Sequence, residues 1–242
     1  MAQYSEPLSK AFLLLLAGLS YNYGFRPPCP PNPKNATTRY DGQHFETMVL
    51  IWAFLARISV VILSLLHIAV ILSIQFPNSY SPIVVDSICP HPTSSLETLN
   101  QLSGYFLVGI TITILASLIR AWCYATLGRL FTYKVTVLPN HNLVTSGPYA
   151  YVRHPSYTGA LLLHSGAAIT YLISSGNYLS ECGIMATPFK WLVWYWIGAV
   201  LFTVISLKNR AAVEDGLMKK TFSSEWVAYR EKVRYAFIPY IF

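Results

Sequence analysis

Long apolar stretches alternate with short polar segments along this 242-residue chain. About 20 apolar residues cross a bilayer core of roughly 30 Å. Five stretches approach that length: 9–25, 47–76, 102–127, 156–175 and 189–207. The first, "SKAFLLLLAGLSYNYGF", is short. It reads as a span rather than a signal-peptide core, because no basic segment precedes it and no clean small-residue cleavage pattern follows. The pattern predicts an all-α fold, a polytopic transmembrane helical bundle of about five spans.

Charge placement orients the bundle. Cytosolic loops carry an excess of Lys and Arg. No Lys or Arg falls between Arg57 and Arg120, and loop 77–101 carries Asp86 and Glu97, so that loop faces away from the cytosol. Loop 128–155 carries Arg129, Lys134 and Arg153 and no acid, and the tail carries Lys208, Arg210, Lys219, Lys220, Arg230, Lys232 and Arg234. Both are expected in the cytosol. Loop 176–188, with Glu181 and no basic residue, returns to the lumenal side, where the tryptophans of "KWLVWYW" (190–196) form an interfacial belt. Arg57 lies mid-span and is expected to pack against other helices or snorkel.

Composition agrees. Hydrophobic residues make up 54% and charged residues 11%, a shortage of charge that excludes an ordinary soluble surface. The net charge of +7 sits in juxtamembrane segments, which points to membrane lipid headgroups or phosphates and not to nucleic acid. Cys29, Cys89, Cys123 and Cys182 lack metal-site spacing, so no metal is expected. Four free thiols are the expected state; a Cys89–Cys182 bond requires both loops to be lumenal. The segment "RPPCPPNPKNATT" (26–38) reads as an irregular proline-rich connector, and its Asn35-Ala36-Thr37 sequon is silent if it faces the cytosol.

Two polar segments share the cytosolic side. In the junction 141–159, "HNLVTSGPYAYVRHPSYTG", Ser146-Gly147-Pro148 reads as a turn and Pro155 suits the first position of a helix. The unpaired amides of such a helix start attract anions, and Tyr149, Tyr151 and Tyr157 offer aromatic faces to a cation. A capped span start with interfacial tyrosines explains the same residues without any ligand. In the tail, Arg210 and Glu214 share a helix face with Asp215 beside them, which alone is a routine surface ion pair. Val213, Leu217, Trp226, Tyr229 and Val233 recur at helical spacing, predicting a cytosolic C-terminal amphipathic helix lying against the membrane.

Taken together, "LVTSGPYAYVRHPSYTG", a hydrophobic hairpin, Arg-x3-Glu-Asp and "F-x2-EW-x2-Y" resemble the isoprenylcysteine carboxyl methyltransferase family, over roughly residues 118–239. The resemblance implies S-adenosylmethionine as cofactor. It implies that His141, Asn142, Leu143, Val144, Tyr149, His154, Pro155, Ser156, Tyr157 and Glu214 bind it, and that Arg210 binds the substrate. Arg210 and Glu214 are the implied catalytic pair. The chain departs from the family at Asp215, where a glutamate is usual, and at Ser223, where a glycine is usual. Lys134 stands near the place of a family glutamine. Residues 1–100 form an N-terminal membrane region with two spans and a lumenal loop, and 101–242 the methyltransferase core.

The implied reaction methylates the C-terminal carboxylate of a prenylated cysteine in CaaX-processed proteins. A carboxylate, with a pKa of about 3.5, is already ionised at neutral pH. No base is needed, and no convincing His–Asp or Ser–His arrangement is visible in the sequence. The resemblance further implies a multi-pass protein of the endoplasmic reticulum membrane with its site facing the cytosol. Its rivals are a phospholipid N-methyltransferase, whose amine acceptor needs a base, a nicotinamide-dependent reductase, and a non-catalytic membrane paralogue.

Overall fold

A computed structural model describes residues 2–26, 28, 38–39, 44–92, 96–132, 135–137 and 141–240. Cys29, Lys134 and the Asn35 sequon lie outside these residues. The chain runs through α1 (Ala2–Phe25), β1 (Thr38–Arg39), α2 (His44–Gln75), α3 (Ser81–Ile88), α4 (Gly104–Leu127), β2 (Thr136–Val137), α5 (Pro155–Ala168), α6 (Tyr178–Glu181) and α7 (Lys190–Lys232). The strands form one two-residue antiparallel pairing, Thr38 opposite Val137. The described chain is otherwise helix and turn, an all-α membrane protein.

Three helical stretches among the described residues are long and apolar enough to cross a membrane: Met48–Gln75, Leu96–Leu130 and Lys190–Lys232. The other two predicted spans are also helical where expected. α1 carries Lys10 in its interior, and α5 runs for 14 residues before passing into a π-turn at Ile169–Ile173. Lys10 is fully buried because two backbone carbonyls take its ammonium, Gln101 O at 2.8 Å and Gly176 O at 3.0 Å.

The residues divide into two compact units. The first comprises 1–23, 56–115 and 162–198. Within it α4 and α5 approach through small residues: a Cβ on Gly109 would lie 2.4 Å from Thr170 Oγ1, and one on Gly166 would lie 2.4 Å from Thr113 Oγ1. The two threonines return their hydroxyls to Gly109 O and Gly166 O four residues back on their own helices. This unit also holds a Cys89–Cys182 disulfide, set among Val70, Leu99, Tyr178 and Leu179. The expectation of free thiols is thereby corrected. Loops 93 residues apart in sequence bring their cysteines together, which spacing alone does not reveal. Cys123 stays free and buried.

The second unit comprises 24–55, 116–161 and 199–242. Its main departure from expectation is α7. The last span and the predicted amphipathic helix are one 43-residue helix with a break at Ser223, whose φ of 46° and ψ of −109° are non-helical. Positive φ is costly for a residue bearing a Cβ. That is a physical reason for a glycine at this place, and Ser223 occupies it under strain. Beyond the break, Trp226, Tyr229 and Val233 do not lie against lipid. They are buried within the protein, packed with Leu143, Met218 and Phe222. An apolar helix face reads alike whether membrane or protein covers it, so periodicity could not separate the two.

Candidate functional site

Pro155 opens α5, as its fixed φ and missing amide hydrogen favour. The residues ahead of it are tied to the end of the chain. Arg153 N and His154 N donate to Tyr235 O and Ala236 O at 3.0 and 2.8 Å, and Thr158 Oγ1 donates to Phe237 O at 2.7 Å. Tyr229 Oη donates to Tyr149 O at 2.9 Å. These bonds hold strip 149–158 against segment 229–237, within the second unit.

Helix α7 then brings its polar face to the strip. Arg153 Nε donates to Asp215 Oδ2 at 3.2 Å, and its Nη1 donates to Val233 O at 3.0 Å. His154 Nε2 lies 3.0 Å from Asp215 Oδ1, while its Nδ1 lies 3.7 Å from Glu214 Oε2. Tyr157 stacks on the His154 ring with 5.3 Å between centroids. Its hydroxyl donates to Glu214 Oε2 at 2.6 Å and accepts from Arg210 Nε at 2.7 Å. Arg210 and Glu214, four residues apart on one helix face, are thus joined through a tyrosine from α5.

A His–Asp pair therefore exists, contrary to the sequence reading. Its partners lie 61 residues apart and no local motif announces them. Nε2 of His154 is held by Asp215, and Nδ1 faces Glu214 at a longer distance, so the ring is anchored on the acidic pair.

The strip and α7 line a pocket that is partly open to solvent. Of the residues implied by the resemblance, His141, Leu143, Val144, Tyr149, His154, Ser156, Tyr157, Arg210 and Glu214 line it. Asn142 and Pro155 belong to the same strip but do not line it, and Tyr151 is 65% exposed. Sequence reasoning missed Arg153, Asp215, Met218, Trp226 and Tyr229 as wall residues. The adjacent acids Glu214 and Asp215, set against the adjacent bases Arg153 and His154, were the available signal.

The electrostatics divide the acids. Asp215 is committed to Arg153 and His154, whereas the Glu214 side chain keeps 36% of its surface exposed against 21% for Asp215. Burial, then the neighbouring Cys123 and Glu214, push the Tyr149 phenol well above its ordinary range, so it stays protonated. Burial pulls the His141 imidazole below its usual value, with Glu214 opposing, and its ring meets Phe222 edge-on at 5.7 Å.

Fold and site together define a helical membrane protein whose pocket gathers acidic, basic, aromatic and aliphatic side chains. Residues 108–187, about a third of the chain, match the model of the Isoprenylcysteine carboxyl methyltransferase (ICMT) family. It is 30% identical over 128 residues to protein-S-isoprenylcysteine O-methyltransferase B of Arabidopsis thaliana, covering 52% of this chain and 55% of that protein. It is 26% identical over 204 residues to a probable protein-S-isoprenylcysteine O-methyltransferase of Oryza sativa subsp. indica, covering 82% and 91%. A Xenopus laevis protein-S-isoprenylcysteine O-methyltransferase is 28% identical over 100 residues, 37% of this chain and 35% of that protein. The chain thus spans about half the length of the Arabidopsis relative and nearly all of the rice one. No solved structure matches.

Proposed function

We propose that this chain transfers a methyl group from S-adenosylmethionine to the C-terminal carboxylate of an isoprenylated cysteine. The observation that carries the reading is the Tyr157 hydroxyl, which bridges Arg210 and Glu214 inside one pocket. That bridge sets a group suited to an anion, Arg210, beside one suited to a cation, Glu214.

The donor set fits the proposed cofactor. Glu214, Tyr149 and Trp226 line the same pocket, and a carboxylate together with aromatic faces suits a sulfonium and an ammonium group. Leu143, Val144 and Met218 add apolar contact. S-adenosylmethionine would supply an electrophilic methyl on a positively charged sulfur.

Arg210 is assigned the acceptor carboxylate. It is 4% exposed, so a carboxylate held by its planar fork is shielded from water. The acceptor needs no base, being ionised at neutral pH. Rate enhancement comes from alignment and from stripping water off the anion. His154, bonded to Asp215 and facing Glu214, holds the acidic pair in place.

The setting we propose is the endoplasmic reticulum membrane, with the pocket facing the cytosol. Only Lys10, Arg57 and Lys190 of the 17 basic residues fall outside the pocket-bearing unit, a bias that supports a cytosolic face for it. The Cys89–Cys182 disulfide supports an oxidising compartment for loops 77–101 and 176–188. We assign the chemistry to 101–242.

The test is a labelled-methyl assay on membranes containing the chain, with a farnesylcysteine analogue and phosphatidylethanolamine as competing acceptors. Label on the prenylcysteine is expected. Label on phosphatidylethanolamine alone would reassign the site to amine methylation.

A further inference from the structure

We infer that Arg120 is a positioning residue for the site, acting through Ser156 and Tyr157. The effect on turnover rests on the function proposed above; the effect on structure does not. Arg120 lies in α4, 4% exposed, in a stretch apolar enough to cross a membrane. A buried guanidinium in such a place is expensive and usually has a specific task.

Its contacts define the task. Nη1 donates to Ser156 O at 2.7 Å and to Ser156 Oγ at 3.1 Å. Nη2 donates to Tyr124 Oη at 2.7 Å. Nε donates to Gly24 O, at the C-terminal end of α1, where a helix carbonyl has no intrahelical partner. One rigid fork thus pins the first turn of α5 to α4 and to the end of α1, all within the second unit.

The next residue after Ser156 is Tyr157, which bridges Arg210 and Glu214. Gly159 completes the seat. A Cβ there would lie 2.6 Å from Arg120 Cγ and 3.3 Å from Ala116 O, so only glycine lets the arginine stem pass. Lysine cannot replace the fork, since a single ammonium does not span Ser156 and Gly24 with the same geometry.

The experiment uses the full chain in detergent micelles or nanodiscs, comparing wild type with Arg120→Met, Arg120→Lys, Tyr157→Phe and Arg120→Met/Tyr157→Phe. Hydrogen exchange of peptides covering 153–160 needs no assumption about substrate. Arg120→Met is expected to speed it about tenfold, with Arg120→Lys in between. With a farnesylcysteine analogue, Arg120→Met is expected to raise the acceptor KM about tenfold and lower kcat. A loss of folded enzyme alone would leave KM unmoved. The double variant is expected to be no worse than about threefold below the poorer single variant, because the two residues act in series. Unchanged exchange together with an acceptor KM within twofold of wild type overturns the inference, as do losses that simply multiply. If Arg120→Met is not recovered folded, Gly159→Ala displaces the same side chain and is read identically. Wild type failing to methylate prenylcysteine sinks the function alone; the exchange result still decides the role of Arg120.

Discussion

Helices α2, α4, α5 and α7 each supply residues to both compact units, yet the units are held by different interactions. In the first, charge is scarce: Lys10, Arg57 and Lys190 against Glu6, Asp86, Glu97 and Glu181. Its cohesion comes from the disulfide, from threonine–glycine helix contacts and from carbonyls that absorb Lys10. In the second, fourteen basic residues face six acids. There Arg153, His154, Arg210, Glu214 and Asp215 interlock around a pocket. Charge is costly to bury and persists where partners or a ligand compensate for it. The contrast separates a unit poor in charge from one whose charges gather around a pocket, the place of the binding proposed above.

The largest break in that contrast should come from Arg210→Ala. Truncating one member of a buried charged site costs about 2–5 kcal/mol. We expect kcat/KM for the acceptor to fall by two to three orders of magnitude while S-adenosylhomocysteine affinity, measured calorimetrically, stays within threefold. Glu214→Ala should do the reverse, weakening cofactor affinity most. Normal turnover by Arg210→Ala at low acceptor concentration removes the role assigned to Arg210.

Removing the disulfide with Cys89→Ser/Cys182→Ser tests the other unit. Such bonds contribute about 2–4 kcal/mol. Thermal unfolding in detergent should shift down by several degrees, with ligand affinity in the surviving folded protein unchanged. An equal loss of affinity would show that cohesion and binding are not separable in this way.

A smaller effect is expected at the α7 break. Ser223→Gly relieves a positive φ and should stabilise by about 1 kcal/mol, raising the melting temperature by roughly 2–4 °C. No gain would mean that Ser223 is compensated by its surroundings.

The smallest effect concerns pH. Burial lowers the His141 pKa in the folded state, so the unfolded chain binds more protons as pH drops below the ordinary histidine value. Stability should therefore be constant above about pH 7 and decline as pH falls through about 6.5. His141→Gln should flatten that decline in a melting-temperature profile.

Much of this was legible beforehand, and the limits were physical. Apolar length exposed the helices, and Pro155 marked the start of α5 within a residue. The pocket strip and the Arg210–Glu214 spacing were visible because each is local in sequence. Pairings between distant elements were not. His154–Asp215 and Arg120–Ser156 join residues 61 and 36 positions apart, and the Cys89–Cys182 bond, 93 apart, could be named from loop placement but not decided. The role of Trp226 and Tyr229 was missed because lipid and protein select the same apolar face. Ser223 was visible only as a departure from a family glycine, and the backbone supplied the reason.

The most direct test is the chemistry of the product made by purified, reconstituted chain given labelled S-adenosylmethionine and a farnesylcysteine analogue. A methyl ester releases its label as methanol in mild alkali, whereas an N-methyl group does not. The account predicts alkali-labile label on the acceptor, lost in Arg210→Ala. Alkali-stable label, or labile label undiminished in that variant, would contradict it.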